Sequence, residues 1–326
     1  MSLGGSIPYH LRHNKAIERN LFIDLLARIG RHFNISDYRY VGFGGPFLED
    51  FKHLHSALRI TDMVSLEIDG NVYQRQKFNK PVACISLREE SSSDFLNTYD
   101  FDGAENLVVW LDYASTEIST QLQEVQRLVE KLGHGDVFKV TVNASPVFLG
   151  HADAGRGMPA LRLAKARLLL GDYAPAIIEE ADVSTKKFPA LLLKAIVSAA
   201  KHGLAGDSKL VMQPLASFVY SDGQQMLTFT GILIEPSERE SIFESTRLKH
   251  WPFYNDCAGA PTSISVPVLS MKERVHVESM LPGATAQDIL QNLEYYVGSD
   301  RKSATAEMEN FISFYRMFPW YSRVVV

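Results

Sequence analysis

Only two cysteines, Cys84 and Cys257, occur among 326 residues, and neither stands in a CxxC or CxxH spacing. That excludes a disulfide framework and a cysteine-based zinc cluster, and makes a reducing compartment the simplest home. No stretch reaches the roughly 18 uninterrupted apolar residues of a membrane span; the best, Ala190 to Ala200, is broken by Lys194. Met1 to Tyr9 lacks the apolar core of a secretory leader, so a soluble, cytoplasmic chain without a membrane partner is expected. Positive charge is also scarce: 33 Lys and Arg against 38 Asp and Glu leave a formal net charge of −5. The broad positive field of a nucleic-acid binder is therefore missing, which argues against that partner class. Internal repeats and low-complexity linkers are absent as well.

What is present is an ordinary globular mixture, 46% hydrophobic and 22% charged. The length suits one large domain with an extension, or two domains. Ile17, Leu21, Leu25 and Phe22, Leu26, Ile29 recur at helical steps, which predicts an amphipathic helix over about Asn14 to His32. Strand-like runs follow at Tyr38–Phe43, Met63–Ile68, Val82–Ile85, Leu107–Leu111 and Val137–Val142, with helical stretches between them. Such alternation implies a parallel, doubly wound α/β sheet. Residues 146–206 break the pattern with helical stretches at Pro159–Leu170, Pro175–Ala181 and Phe188–His202, read as a cap inserted into the sheet domain. Two β-rich runs, Lys209–Tyr220 and Gln225–Ile234, then flank Ser221-Asp-Gly-Gln224, a hairpin signal. The expected domains are 1–235, the sheet with its cap, and 236–326, a mainly helical extension with helix starts at Ser270, Thr285 and Ser303.

The sharpest motif is Tyr40-Val-Gly-Phe-Gly-Gly-Pro46 at the end of the first strand, paired with Glu67 at the end of the second. Glycines let a backbone approach a ligand closely, the next helix offers free N–H groups, and a carboxylate at the neighbouring strand end can accept both hydroxyls of a ribose. The pairing points to a nucleotide-like cofactor. Phe47 stands where dinucleotide-binding turns need a small residue, and this bulk together with the closing hairpin disfavours NAD or FAD.

On these residues the sequence resembles class I S-adenosylmethionine-dependent methyltransferases, over roughly Tyr9 to Glu235, and more closely a bacterial family labelled "putative O-methyltransferase". The resemblance implies a Rossmann-like, seven-stranded sheet that is parallel apart from a closing antiparallel hairpin, with S-adenosylmethionine as cofactor. It implies that Gly42, Phe43, Gly44 and Gly45 line the methionine and ribose end, that Glu67 holds the ribose, that Ile68 packs on the adenine, and that Asp94-Phe95 grip the adenine amino group. Asp112 and Tyr113, ending the fourth strand, fall where the reactive methyl and the acceptor meet, and are the expected catalytic residues. The sequence departs from the family pattern at Tyr40, where an acid is usual, and at Pro46, where a glycine is usual.

Asp112 could orient the acceptor, act as general base or simply cap the next helix. Asn143 ends the fifth strand and would complete an oxygen pair for Mg²⁺, but no second acidic ligand is visible nearby and no metal is assigned. His151 and His202 stand alone and are given no ligand role. His10, Arg12, His13, Lys15 and Arg19 crowd the N-terminal segment, of which Arg12 and Lys15 are candidate contacts for an acidic substrate. Arg156, Arg162, Lys165 and Arg167 form a stripe that a phosphate-bearing substrate could use, although a charged helix face is more often only solvated. Trp251, Phe253 and Tyr254 can stack on a planar substrate or anchor a loop. The expected function is methyl transfer to a small acidic or hydroxylated acceptor; a non-catalytic cofactor-binding module and a nucleic-acid-directed enzyme are the alternatives, and a homo-oligomer stays open.

Overall fold

The computed structural model describes residues 12–101, 103, 106–150, 157–204, 206 and 209–319. Eleven α-helices and eight strands are found among them. In chain order the first half runs α1 (His13–Ile29), β1 (Arg39–Phe43), α2 (Glu49–Leu58), β2 (Asp62–Leu66), α3 (Gly70–Asn79), β3 (Ile85–Arg88), α4 (Ser92–Thr98), β4 (Leu107–Asp112), α5 (Ile118–Val129) and β5 (Val137–Asn143). Then come α6 (Met158–Leu170), α7 (Phe188–Gly203), β6 (Val211–Ser221), β7 (Gln225–Ile234), α8 (Arg239–Thr246), β8 (Thr262–Ile264), α9 (Met271–Met280), α10 (Ala286–Leu293) and α11 (Arg301–Phe314).

The sheet order is β3-β2-β1-β4-β5-β7-β6-β8. β1 through β5 are parallel, and β7 lies antiparallel to β5 with Asn143 opposite Met226 and Val137 opposite Ile232. The sheet is thus mostly parallel and closes with the expected hairpin, but it has eight strands rather than seven. The extra strand, Thr262–Ile264, is too short to leave a periodic signal in sequence.

Pairing across the sheet assigns its faces, because residues in register share a side and alternate along each strand. Gly42, Trp110 and Lys139 fall on one face. Val41, Val64, Val109, Phe138, Val140 and Phe229 fall on the other, where they form one hydrophobic core with Leu122, Val125 and Leu128 of α5 and Leu192, Ile196 and Ala199 of α7. α5 packs against α4, α6 and α7, and α7 against β7.

Other boundaries shift for identifiable reasons. The third strand lies at Ile85–Arg88, later than Val82–Ile85: it is the edge strand, so only one of its four residues is buried and an apolar run is the wrong cue. Pro175–Ala181 forms no α-helix; short 3₁₀ turns at Gly171–Tyr173 and Glu180–Val183 stand on either side of Ile177. α8 (Arg239–Thr246) is a helix that the sequence expectations above do not include. The last helix is capped by Asp300, which accepts from Lys302 and Ser303 N–H, so Ser303 sits in the first turn and not at the cap.

Contacts divide the chain into two compact units. One comprises, among its described residues, 23–219 and 224–262, and the other 12–22, 220–223 and 263–319. In the second, Asp222 at the hairpin tip accepts from the Lys15 N–H at 2.7 Å and the Asn14 side chain at 3.0 Å. Asn14 Oδ1 in turn accepts from the Val266 N–H, Arg19 donates to Tyr220 Oη, and Asn310 ties both sides of Ser263 to Ser265. Phe311 packs on Phe318, which also carries the Arg274 guanidinium over its ring.

Candidate functional site

β1 has β2 and β3 on one side and β4 and β5 on the other, so the direction of winding reverses between β1 and β4. In open α/β sheets such a reversal leaves a crevice beyond the carboxyl ends of the strands. The segments that emerge there are the glycine turn after β1, Glu67 after β2 and Asp112 at the end of β4.

The turn is sealed toward the protein. A Cβ on Gly44 would collide with Leu48 Cδ2 and stand 2.6 Å from Ser65 Oγ, so a side chain there would force both to move. Gly45 has φ +52° and no atom within 4 Å of where a Cβ would lie: its backbone favours glycine, and its outer side is open to a ligand. Tyr40 is buried against Phe51 and holds its hydroxyl beside Gly42. The Pro46 carbonyl accepts from Asn79. Phe47 lies outside this turn, in a surface groove of about 370 Å³ shared with Arg75 and Phe78, with the Arg75 guanidinium over its ring.

Glu67 is half-buried and its carboxyl is pushed above the usual range, first by burial and then by the charge of Asp69, against hydrogen bonds from the Asp69 and Ile68 N–H groups. Beside it Ile68 is 74% exposed, an apolar surface without cover from the chain. Asp69 caps α3 through the N–H groups of Asn71 and Val72. A carboxylate at a strand end, an apolar platform next to it and an open glycine backbone fit a ligand with a ribose and a flat base. Asp112 is half-buried at the end of β4, opposite Thr141, whose hydroxyl accepts from Trp110 Nε1. Lys139, wholly buried on β5, sets its ammonium 3.7 Å from the centre of the Trp110 ring.

Several solved structures are similar at a distance. The O-methyltransferase TomG from Streptomyces achromogenes, solved in complex with SAM, is 15% identical over 66% of this chain and 79% of that one, with a TM-score of 0.37. A probable spermidine synthase from Corynebacterium glutamicum is 12% identical over 77% of this chain and 82% of that one, with a TM-score of 0.36. No curated protein matches the sequence. The family described as "Putative O-methyltransferase" matches residues 7–326. The chain belongs to this family.

In this methyltransferase the remaining expected residues are distributed unevenly. Phe95 is a core residue: its ring is fully buried against Tyr99 and Phe101, and its N–H closes a turn on the Ser91 carbonyl. Asp94 is exposed in the first turn of α4 and accepts from the Ser91 hydroxyl at 2.6 Å. Tyr113 is buried on the α5 side of the sheet, where its phenol donates to Glu124 and its ring meets Phe43. Burial and the Glu124 charge raise that phenol well above its ordinary range, and its ring packs within the core.

Asn143 Oδ1 accepts from the Ser145 N–H and from Gln224, a use that explains its place without a metal. Lys15 and Arg12 belong to the other unit, where the Lys15 main chain is held by Asp222. Of the basic stripe, Arg162 donates to the Gly150 carbonyl and Arg167 to that of Ile178, which makes both structural ties. His10, His151 and Arg156 lie outside the described residues. Trp251 anchors its loop through Nε1 to Asp24, with Phe253 edge-on at 5.6 Å, and Tyr254 meets Gln213. Sequence reasoning missed Ser65, Gln76 and Asn79, the side chains that hold the glycine turn from behind. The available signal was Gln76 itself, an amide four residues after Val72 on the core-facing stripe of α3.

Proposed function

We propose that the chain transfers a methyl group from S-adenosylmethionine to an oxygen of a small hydroxylated acceptor, using the crevice at the carboxyl ends of β1, β2 and β4. The observation that carries this reading is the open Gly45 backbone lying across the strand ends from the raised, half-buried Glu67 carboxyl. The bound cofactor supplies an electrophilic methyl on a sulfonium. In this reading Gly42 to Gly45 take the methionine end, Glu67 accepts both ribose hydroxyls, Ile68 covers one face of the adenine and the exposed Asp94 carboxylate receives its amino group.

Asp112 orients the acceptor hydroxyl and takes its proton as the oxygen attacks. Because the donor is intrinsically reactive, holding donor and acceptor in line is the main demand on the protein. The buried Tyr113, kept neutral beside Glu124, holds the end of β4 against α5 and fixes where Asp112 emerges. Calorimetric titration with S-adenosylhomocysteine tests the reading: wild-type protein binds, and Glu67→Ala loses at least tenfold in affinity, as expected for two charge-assisted hydrogen bonds. Equal binding by wild type and variant would remove Glu67 from the site.

A further inference from the structure

Gln76 is a fully buried amide on α3 with both ends of its side chain engaged. Ser65 Oγ on β2 donates to its Oε1 at 3.2 Å, and its Nε2 donates to the Gly45 carbonyl at 2.9 Å. One turn later on the same helix, Asn79 Nδ2 donates to the Pro46 carbonyl at 2.7 Å. Two consecutive carbonyls of the glycine turn are therefore held by one face of α3. Leu48, itself at φ 54° and fully buried, shares with Ser65 and Gln76 the space beneath Gly44, while its N–H bonds the Gly44 carbonyl.

Ser65 stands on β2, two residues before Glu67, which directly follows that strand. Gln76 thus touches two of the three segments that reach the crevice: the glycine turn after β1, and the strand that leads to the Glu67 carboxylate. A buried amide is costly unless it is hydrogen-bonded, so its pairing here also dictates where the turn can lie.

We propose that Gln76 is a positioning residue which locks the glycine turn in register with Glu67, so that the two halves of the S-adenosylmethionine site are set before the ligand arrives. This rests on the assignment of the crevice to that cofactor. Preorganisation of this kind acts on affinity by removing the cost of ordering the turn on binding. Losing the amide leaves the Gly45 carbonyl without its donor and frees the turn, while β2 keeps Glu67 in place.

The test uses the full chain and Gln76→Met, which preserves length and removes both hydrogen bonds. The expected result is about a tenfold loss in S-adenosylhomocysteine affinity, less than a threefold loss for adenosine, whose ribose still meets Glu67, and faster hydrogen exchange at the Leu48 amide of the ligand-free protein. Unchanged S-adenosylhomocysteine affinity would overturn the proposal. So would equal losses for both ligands accompanied by a large fall in melting temperature, which is what a merely structural residue would give. Should Gln76→Met fail to fold, Ser65→Ala severs one of the two links and is read by the same comparison, with a two- to threefold loss expected. If wild type binds neither ligand, the cofactor assignment falls, and the Leu48 exchange rate alone judges the lock: unaltered protection overturns it.

Discussion

Burial raises the Glu67 carboxyl, and the nearby Asp69 charge raises it further, so ionisation costs more in the ligand-free fold than in the unfolded chain. A carboxyl whose folded value lies above its unfolded value contributes stability that is present at low pH and lost as pH rises through the folded value. Under the proposed role of Glu67 binding runs the other way, because the ionised carboxylate is the form that accepts two ribose hydroxyls. Glu67→Gln separates these effects. In the absence of ligand the variant should be more stable than wild type by about half a kcal/mol near pH 8, a small figure because solvent screens a half-buried group, and the gap should shrink toward pH 5; chemical denaturation at the two values checks this. At this scale the sequence was readable where a residue's use is local: Gly44 and Gly45 follow from the turn they make. Tyr113 and Phe95 were not readable in the same way, since each is defined by partners such as Glu124 and Phe101 that only packing brings to it.

Elements obey the same division. The apolar run Leu107–Leu111 and the helical stretch after it form β4 and α5 as the alternation predicts, with β4 buried along five of its six residues. β3 escapes that logic because its edge position leaves Ser86 and Arg88 outside the core. The start of α1 shows how distant residues finish a local element: no acidic side chain stands in its own first turn, and Asp222, on the hairpin between β6 and β7, supplies the acceptor for its first N–H groups. Removing that acceptor with Asp222→Ala should cost about 1–2 kcal/mol, measured by urea denaturation, and should raise hydrogen exchange at the Asn14 and Lys15 amides before any other part of α1.

For the molecule as a whole, binding and stability are linked by mass action. S-Adenosylhomocysteine at a hundred times its dissociation constant should stabilise the fold by about 2.7 kcal/mol, seen as a rise of several degrees in the thermal midpoint; Glu67→Ala at the same ligand concentration should show a much smaller rise. The sequence by itself determined the alternation of strands and helices, the closing hairpin, the glycine turn and the acid that follows it, because periodicity, turn chemistry and capping act between residues a few positions apart. Tertiary structure decided what those signals meant in space. It turned Tyr113 toward Glu124, placed Lys139 against Trp110, gave Asn143 to Gln224, and brought Ser65 and Gln76 behind the turn. Each of these depends on a contact across many residues of chain, chosen by which buried polar groups can satisfy one another once the sheet has formed, and no local pattern carries that information.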